Sequence, residues 1–282
     1  MGKKRGYKLG DNPGELQKAI DQIVEVQKGK EKRETDLEAE RQASRSANPK
    51  RLLAAVLVGV MAISMIYAGL QMGWIRWGQP SALSEALQDP AKATTLKLDG
   101  QRLGQVPQEI GTLSKLEVLV LDSNGLQEVP PDLGRLTELQ TLSLNYNKLS
   151  DLPTQLGSLS RLRQLGLKAN RFQGFPKAID SLTELRELDL SNNGMVELPE
   201  EIGKLRKLEI LRLRGNSITK LPSGLANLHE LKELDLAQNP VSALPSPNNF
   251  PKLRRLSVRQ TKVDDASIAS YQKTIPKVSL LR

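Results

Sequence analysis

Few side chains in this 282-residue chain could carry out a reaction. There is one histidine, His229, and no cysteine, so thiolate nucleophiles, disulfides and Cys-based metal sites are excluded together. His229 lies in a turn between Leu228 and Leu231 and reads as an ordinary surface residue. No G-x-x-x-x-G-K-[ST] loop offers backbone amides to a phosphate. The adjacent carboxylates Glu200 and Glu201 fall on a turn and not in an expected cleft, which leaves general acid–base chemistry without a partner. These residues predict a protein that is not an enzyme and that holds no cofactor and no metal.

Binding chemistry is better represented, because side chains of like type recur in register. Val118, Val120, Thr141, Ser143 and Tyr146 form a mildly apolar, nearly uncharged group. Farther along, Glu187 and Asp189 are followed by Arg212 and Arg214, then Glu233 and Asp235, then Arg255 and Arg259. Opposite charges on neighbouring elements can pair with one another at little net gain on a surface. Exposed valines beside a tyrosine have no such use in folding, and they are the expected contact patch, with Arg212 and Arg214 as charged candidates.

The element that positions these residues is a repeat. The segment 116–124, L-E-V-L-V-L-D-S-N, restarts at Leu139, Leu162, Leu185, Leu208 and Leu231, one copy every 23 residues. A degenerate copy precedes it around Ala93, and the last step, to Leu253, is 22 residues. A fixed period in this range, written L-x-x-L-x-L-x-x-N-x-L, predicts a leucine-rich repeat solenoid of about eight repeats over 93–282. Each unit opens with a short strand whose leucines, such as Leu119 and Leu121, point inward, and the strands form one parallel sheet on the concave face. Asn124, Asn147, Asn170, Asn193, Asn216 and Asn239 then turn the chain inward, where an amide can satisfy the backbone of adjoining coils. A proline follows in each unit, Pro107, Pro130, Pro153, Pro176, Pro199, Pro222 and Pro245, where no ladder donor is needed. Aromatics are only 3% of the chain, and leucine carries the apolar load, as suits a stacked core.

The lettering L-P-x-x-I-G-x-L resembles the 23-residue leucine-rich repeats of bacterial proteins and of the eukaryotic Ras-pathway scaffold class. The segment 86–98, A-L-Q-D-P-A-K-A-T-T-L-K-L, looks like the opening of many bacterial members. The close, Q-T-K-V-D-D-A-S-I at 260–268 with I-P-K-V at 275–278, is similar to a bacterial terminal repeat. The resemblance covers about 81–282 and implies an interaction module that binds a protein partner on its concave face. It says little about which partner, because one fold serves many. Neither the GTPase-linked form nor the ligase form of repeat protein is expected, for lack of a phosphate loop and of a cysteine.

The first eighty residues are organised differently. Asn12, Pro13 and Glu15 give a helix start, and Leu16, Ile20, Ile23 and Val24 make a short apolar stripe. Two readings of the stripe stand open: a docking face for a cytoplasmic partner or a second copy, and an amphipathic helix lying on the bilayer. Residues 28–45 are almost all charged and read as a solvated helix or linker. Between Arg51 and Arg76 no charge occurs, and the 24 residues 52–75 would span ~36 Å as a helix against a ~30 Å hydrocarbon layer. A transmembrane helix is predicted there, with Trp74 and Trp77 at its interfacial end. Lys32, Arg33, Arg41, Arg45, Lys50 and Arg51 precede it, whereas Arg76 and Lys92 follow, so the positive-inside rule places 1–51 in the cytoplasm and the repeats outside. The preceding segment is too long for a cleaved signal peptide, which makes the span an uncleaved signal anchor. Ala55, Gly59, Ala62, Gly69 and Gly73 share one seam and offer close packing to a second transmembrane helix. Segment 76–92 is then a juxtamembrane linker with an N-terminal capping helix, its Leu83, Ala86 and Leu87 on one side.

The expected molecule is thus an α/β-type solenoid plus one transmembrane helix and a cytoplasmic helix, a single-pass inner-membrane protein of bacterial type. Scaffold or assembly subunit of an envelope complex is the leading function. Glycan or peptidoglycan recognition competes, but it favours an aromatic-lined face and this one offers only Tyr146. A ligand-sensing receptor is a third reading, and inverted topology would make a cytosol-facing scaffold. The net charge of +9 is spread along the chain and does not call for nucleic acid.

Overall fold

The computed structural model describes residues 81–281. The expectations for 1–51 with its Leu16 to Val24 stripe, for the span 52–75, and for Ala55, Gly59, Ala62, Gly69 and Gly73 lie outside the described residues. Among the described residues no helix is long and apolar enough to cross a membrane.

Nine three-residue strands form one parallel sheet in strict sequence order. They are β1 (Thr95–Lys97), β2 (Val118–Val120), β3 (Thr141–Ser143), β4 (Gln164–Gly166), β5 (Glu187–Asp189), β6 (Ile210–Arg212), β7 (Glu233–Asp235), β8 (Arg255–Ser257) and β9 (Ser279–Leu281). The count exceeds the expected eight or so because the terminal I-P-K-V segment leads into β9, which pairs with β8. In register, Leu119 lies opposite Leu142 and Leu142 opposite Leu165, so each central leucine meets its equivalent one coil away. These leucines are fully buried, as are Leu121, Leu144 and Leu167. No coil can bury its own leucines, so the fold is stabilised by contacts between neighbouring coils, each fully buried leucine contributing roughly 1.5–3 kcal/mol.

The asparagine of each coil stitches it to the one before. Asn147 Oδ1 accepts the N–H groups of Asn124 and Leu126, both at 3.0 Å, and its amide donates to the carbonyls of Leu121 and Leu144 at 3.0 and 2.9 Å. Asn170, Asn193, Asn216 and Asn239 repeat the pattern. The residue before each asparagine has a left-handed backbone, at Ser123, Tyr146, Ala169, Asn192, Gly215 and Gln238, and the equivalent residues of the first and last coils, Gly100 and Gln260, share it although Gln101 and Thr261 replace the asparagine there.

On the opposite side the chain returns through 3-10 turns: η1 (Gln108–Thr112), η2 (Pro131–Arg135), η3 (Thr154–Ser158), η4 (Lys177–Ser181), η5 (Glu200–Lys204), η6 (Ser223–Asn227) and η7 (Pro247–Asn249). The first six start just after a proline in extended conformation, Pro107 through Pro222. At η7 the capping position passes from the expected Pro245 to Ser246. Successive turns pack on one another from η1 to η4 and again from η5 to η6, but thinly between η4 and η5. At one end, α1 (Ser81–Gln88) sets Leu83, Ala86 and Leu87 against the core. At the other, α2 (Asp265–Thr274) is capped by Asp264, which accepts the Ser267 N–H at 2.7 Å, and it buries Ile268 and Tyr271. The Tyr271 hydroxyl donates to the Pro245 carbonyl at 2.7 Å, and burial pushes its pKa far up.

Candidate interaction surface on the strand face

Because a strand alternates its side chains, residues one and three of each β segment face outward, and a third outward position follows two residues later. Three columns therefore cross the sheet. The first reads Thr95, Val118, Thr141, Gln164, Glu187, Ile210, Glu233, Arg255; the second Lys97, Val120, Ser143, Gly166, Asp189, Arg212, Asp235, Ser257. This register corrects the expected grouping. Arg212 aligns with Asp189 and Asp235, its strand mate is Ile210, and Arg214 and Arg259 belong to the third column, beyond the strands.

From β3 to β8 the polar side chains of the first column pair with one another and with Arg212. Thr141 donates to Gln164 at 3.1 Å and Gln164 to Glu187 at 3.4 Å. Arg212 reaches across to Glu187 on one side and, at 2.9 Å, to Glu233 on the other, and Arg255 closes on Glu233 at 2.6 Å. Burial works to lower the Arg212 pKa, but the hydrogen bonds and charges of Glu187 and Glu233 outweigh it and raise it. The charged zone thus pairs internally, and Arg212 is committed within it.

The chain of polar contacts ends at β2, where Val118 and Val120 have nothing to donate or accept. Both valines are half-buried and not fully exposed as expected, since each is flanked by side chains of β1 and β3. Thr141 and Ser143 are likewise half-buried. Ser143 donates to Asp122 at 2.7 Å, and Asp122 also accepts the Asn145 N–H at 2.8 Å, while Asn145 Oδ1 accepts the Lys168 N–H at 2.8 Å. This network holds the backbone of the next residue, Tyr146, which is 52% exposed with φ of 56°. The Lys168 ammonium stands 5.4 Å from the centre of its ring, a cation–π geometry. Left-handed backbone is costly for a bulky side chain, and the other coils place glycine, alanine, serine, asparagine or glutamine there. The position of Tyr146 in that series was missed in the sequence, although the glycines at 100 and 215 signal it.

Elsewhere the structure shows how the remaining candidates are used. His229 is exposed, with Nδ1 3.2 Å from the Asn249 carbonyl. Glu200 and Glu201, expected away from any cleft, border an open groove of about 680 Å³ on the turn side. Glu200 is already engaged: it accepts the Ser223 hydroxyl at 2.9 Å and the N–H groups of Ser223 and Gly224, and these bonds, the hydroxyl first, hold its pKa below the usual range. Charges also alternate along the rows leading into the strands, where Glu138 pairs with Arg161, Glu184 with Lys207, Glu230 with Lys252, and Glu209 with both Arg186 and Lys232. Among the described residues no group of three or more His, Asp or Glu is placed to hold a metal ion.

Comparison with known proteins agrees with this architecture. The family described as leucine-rich repeat region matches residues 94–193 and 148–279. An internalin (inlF) from Listeria monocytogenes str. 4b F2365 has a similar crystal structure at 20% identity, with a TM-score of 0.49 over 63% of this chain and 57% of that one. The chain therefore spans a little over half the length of that protein's structure. No curated protein matches the chain.

Proposed function

We propose that this chain, which belongs to the leucine-rich repeat family, is a non-enzymatic protein-binding platform whose contact zone is the strand face around Tyr146, Val118 and Val120. One observation carries the reading: Tyr146 is exposed on a left-handed backbone that only this coil gives to an aromatic residue. The cation–π contact with Lys168 returns only about 0.5–1 kcal/mol at an exposed site, whereas an exposed ring one coil beyond two half-buried valines is the kind of anchor that dominates protein interfaces. The polar zone from Thr141 to Arg255 is spent on internal pairing and adds complementarity more than energy. Tyr146 is the one exposed aromatic among the described residues, which favours a protein partner over a glycan.

The same proposal places the platform on a membrane. Its support is the uncharged segment 52–75 and the excess of basic residues before it. The chain would then be a single-pass scaffold or assembly subunit with its N-terminus in the cytoplasm, its repeats outside, and its transmembrane seam and Leu16 to Val24 stripe open to further partners.

Two measurements test the two halves. A photo-crosslinking residue at position 146, in the cells that make the protein, should capture a defined protein, and the replacements Val118→Glu and Val120→Glu should abolish capture while the domain melts as before. Capture that survives both replacements would move the contact zone elsewhere. Protease accessibility of terminal tags should show a protected N-terminus and an exposed C-terminus; the reverse would make the platform a cytosolic one.

A further inference from the structure

The third outward column leaves a pattern that internal pairing does not consume. It reads Asp99, Asp122, Asn145, Lys168, Ser191, Arg214, Ala237, Arg259. From β4 onward a cation stands at every second coil, and between the cations lie Ser191 and Ala237, both small and buried. Lys168 contacts only the Tyr146 ring and Arg214 donates only to Gln238, at 3.0 Å, through their side chains. The Arg259 guanidinium has no hydrogen bond or ion pair among the described residues. By contrast Arg212 and Arg255, one and two columns back, are neutralised by glutamates.

We infer that this column is a docking track for an extended acidic segment of the protein partner, with a carboxylate at every third residue, opposite Lys168, Arg214 and Arg259. The inference rests on the strand face being the contact surface. Strands in a sheet are ~4.8 Å apart, so alternate coils place the cations ~9.6 Å apart. A polyproline II segment has three residues per turn and rises ~3.1 Å per residue, which returns every third side chain to one face after ~9.3 Å. A β-strand repeats its face every ~6.6 Å, and two turns of α-helix take ~10.8 Å; both drift out of step over three cations. The coils between are unsuited to further negative charge, because Asp189 and Asp235 stand one outward position back, already accepting the N–H groups of Ser191 and Ala237 at 2.9 and 3.0 Å. A continuously anionic polymer is thereby disfavoured, and a periodic peptide is not. Direction follows as well: Asp99 and Asp122 repel an acidic segment from the first coils, so its uncharged end lies toward Tyr146.

The test uses the purified full-length chain and labelled twelve-residue peptides at low ionic strength, where such contacts are least screened. One peptide repeats Glu-Pro-Ala; a second has the same composition with its glutamates consecutive; inorganic polyphosphate is the third probe. The periodic peptide should bind about tenfold or more tightly than the block peptide, and Arg214→Glu or Arg259→Glu should each weaken it by a similar factor. Arg255→Gln, which alters a cation already paired, should leave it unchanged. Equal binding of the two peptides, insensitivity to Arg214→Glu, or tighter binding of polyphosphate at the same residues would overturn the inference. Val118→Glu and Val120→Glu separate the two ideas: partner capture lost in them while the periodic peptide fails on the unaltered chain rejects the track alone, and capture retained while the peptide binds rejects the valine zone alone.

Discussion

A Cβ on Gly111 would lie 2.7 Å from the carbonyl oxygen of Asp132, one coil farther on. Gly203 stands in the same relation to the Gly224 carbonyl, at 2.5 Å. At this point of the 3-10 turn, glycine lets one coil nest its backbone on the next. In η4 the equivalent residue is Asp180, one of whose carboxylate oxygens is buried without a hydrogen-bond partner, and η4 and η5 pack thinly there. Asp180→Gly should therefore stabilise the solenoid. Relief of a buried unsatisfied oxygen is worth about 1–3 kcal/mol, against roughly 0.5–1 kcal/mol for the added freedom of glycine in the unfolded chain. A net gain of about 1 kcal/mol would raise the melting temperature by ~2–4 °C. A midpoint that stays or falls would show that something other than Asp180 opens this seam.

The same residue gives a pH dependence of definite sign. Burial raises the Asp180 carboxyl above its ordinary 3.8; Lys204 and Lys177 oppose the rise and Glu201 adds to it. The folded chain then keeps a proton that the unfolded chain has released, so stability falls as pH rises from the ordinary value through the raised one. Asp180→Asn removes that loss. Its melting temperature relative to the unaltered chain should be near zero at about pH 3.5 and positive at about pH 7. Glu184, Glu200 and Glu209, which hydrogen bonds hold below the usual range, contribute stability that is lost as pH falls, but they are common to both proteins and cancel in the difference. A difference independent of pH would mean that Asp180 is ionised without penalty.

Asn147 is the sharpest test of the inter-coil stitching. Removing its side chain strands the N–H groups of Asn124 and Leu126 and the carbonyl of Leu121 inside the stack, while the Leu144 carbonyl keeps the Asn170 amide as a donor. Asn147→Ala should cost about 3 kcal/mol or more, lowering the melting temperature by at least ~6 °C. Asn147→Asp should be no better at neutral pH, because a carboxylate keeps the acceptor but cannot donate to the two carbonyls. Thermal unfolding of the two variants decides it, and a small effect of either would shift the stitching role to the leucines alone.

The period, the inward leucines, the stitching asparagines and the turn prolines were legible in the sequence because each is one residue type at one spacing, imposed by local geometry. The lateral register of the charged residues was not. Arg212 and Arg214 look like strand mates, since L-R-L-R continues the alternation past Arg212, yet the strand pairs Ile210 with Arg212 and the backbone turns left-handed at Gly215. Alternation tells which way a side chain points and not where a strand ends. The half-burial of Val118 and Val120 was illegible for another reason: it depends on side chains of the coils to either side, Thr95 and Lys97 on one, Thr141 and Ser143 on the other. Asp180 could have been found by aligning the units, for it stands where four of them, at Gly111, Gly134, Gly157 and Gly203, carry glycine.

Gly166 offers a prediction in which two general expectations have opposite signs. A glycine within a strand ordinarily destabilises by roughly 0.5–1 kcal/mol relative to alanine, so Gly166→Ala would be expected to help. The new Cβ, however, would lie 2.8 Å from Asn145 Nδ2 and 2.9 Å from its Oδ1. Asn145 has little room to yield. Its Nδ2 donates to Ser143 Oγ at 2.8 Å and to Asp122 at 3.2 Å, and its Oδ1 accepts the Lys168 N–H at 2.8 Å. Gly166→Ala should therefore destabilise by about 1–3 kcal/mol through lost hydrogen bonds, read as a fall in melting temperature. Because the cost arises only from Asn145, the double replacement Asn145→Ala with Gly166→Ala should be no less stable than Asn145→Ala alone, a non-additivity that a double-mutant cycle measures directly. If Gly166→Ala raises the melting temperature, the amide network is slack, and the backbone of Tyr146 beside it is held by the Lys168 carbonyl that its N–H meets at 2.8 Å and not by Asn145.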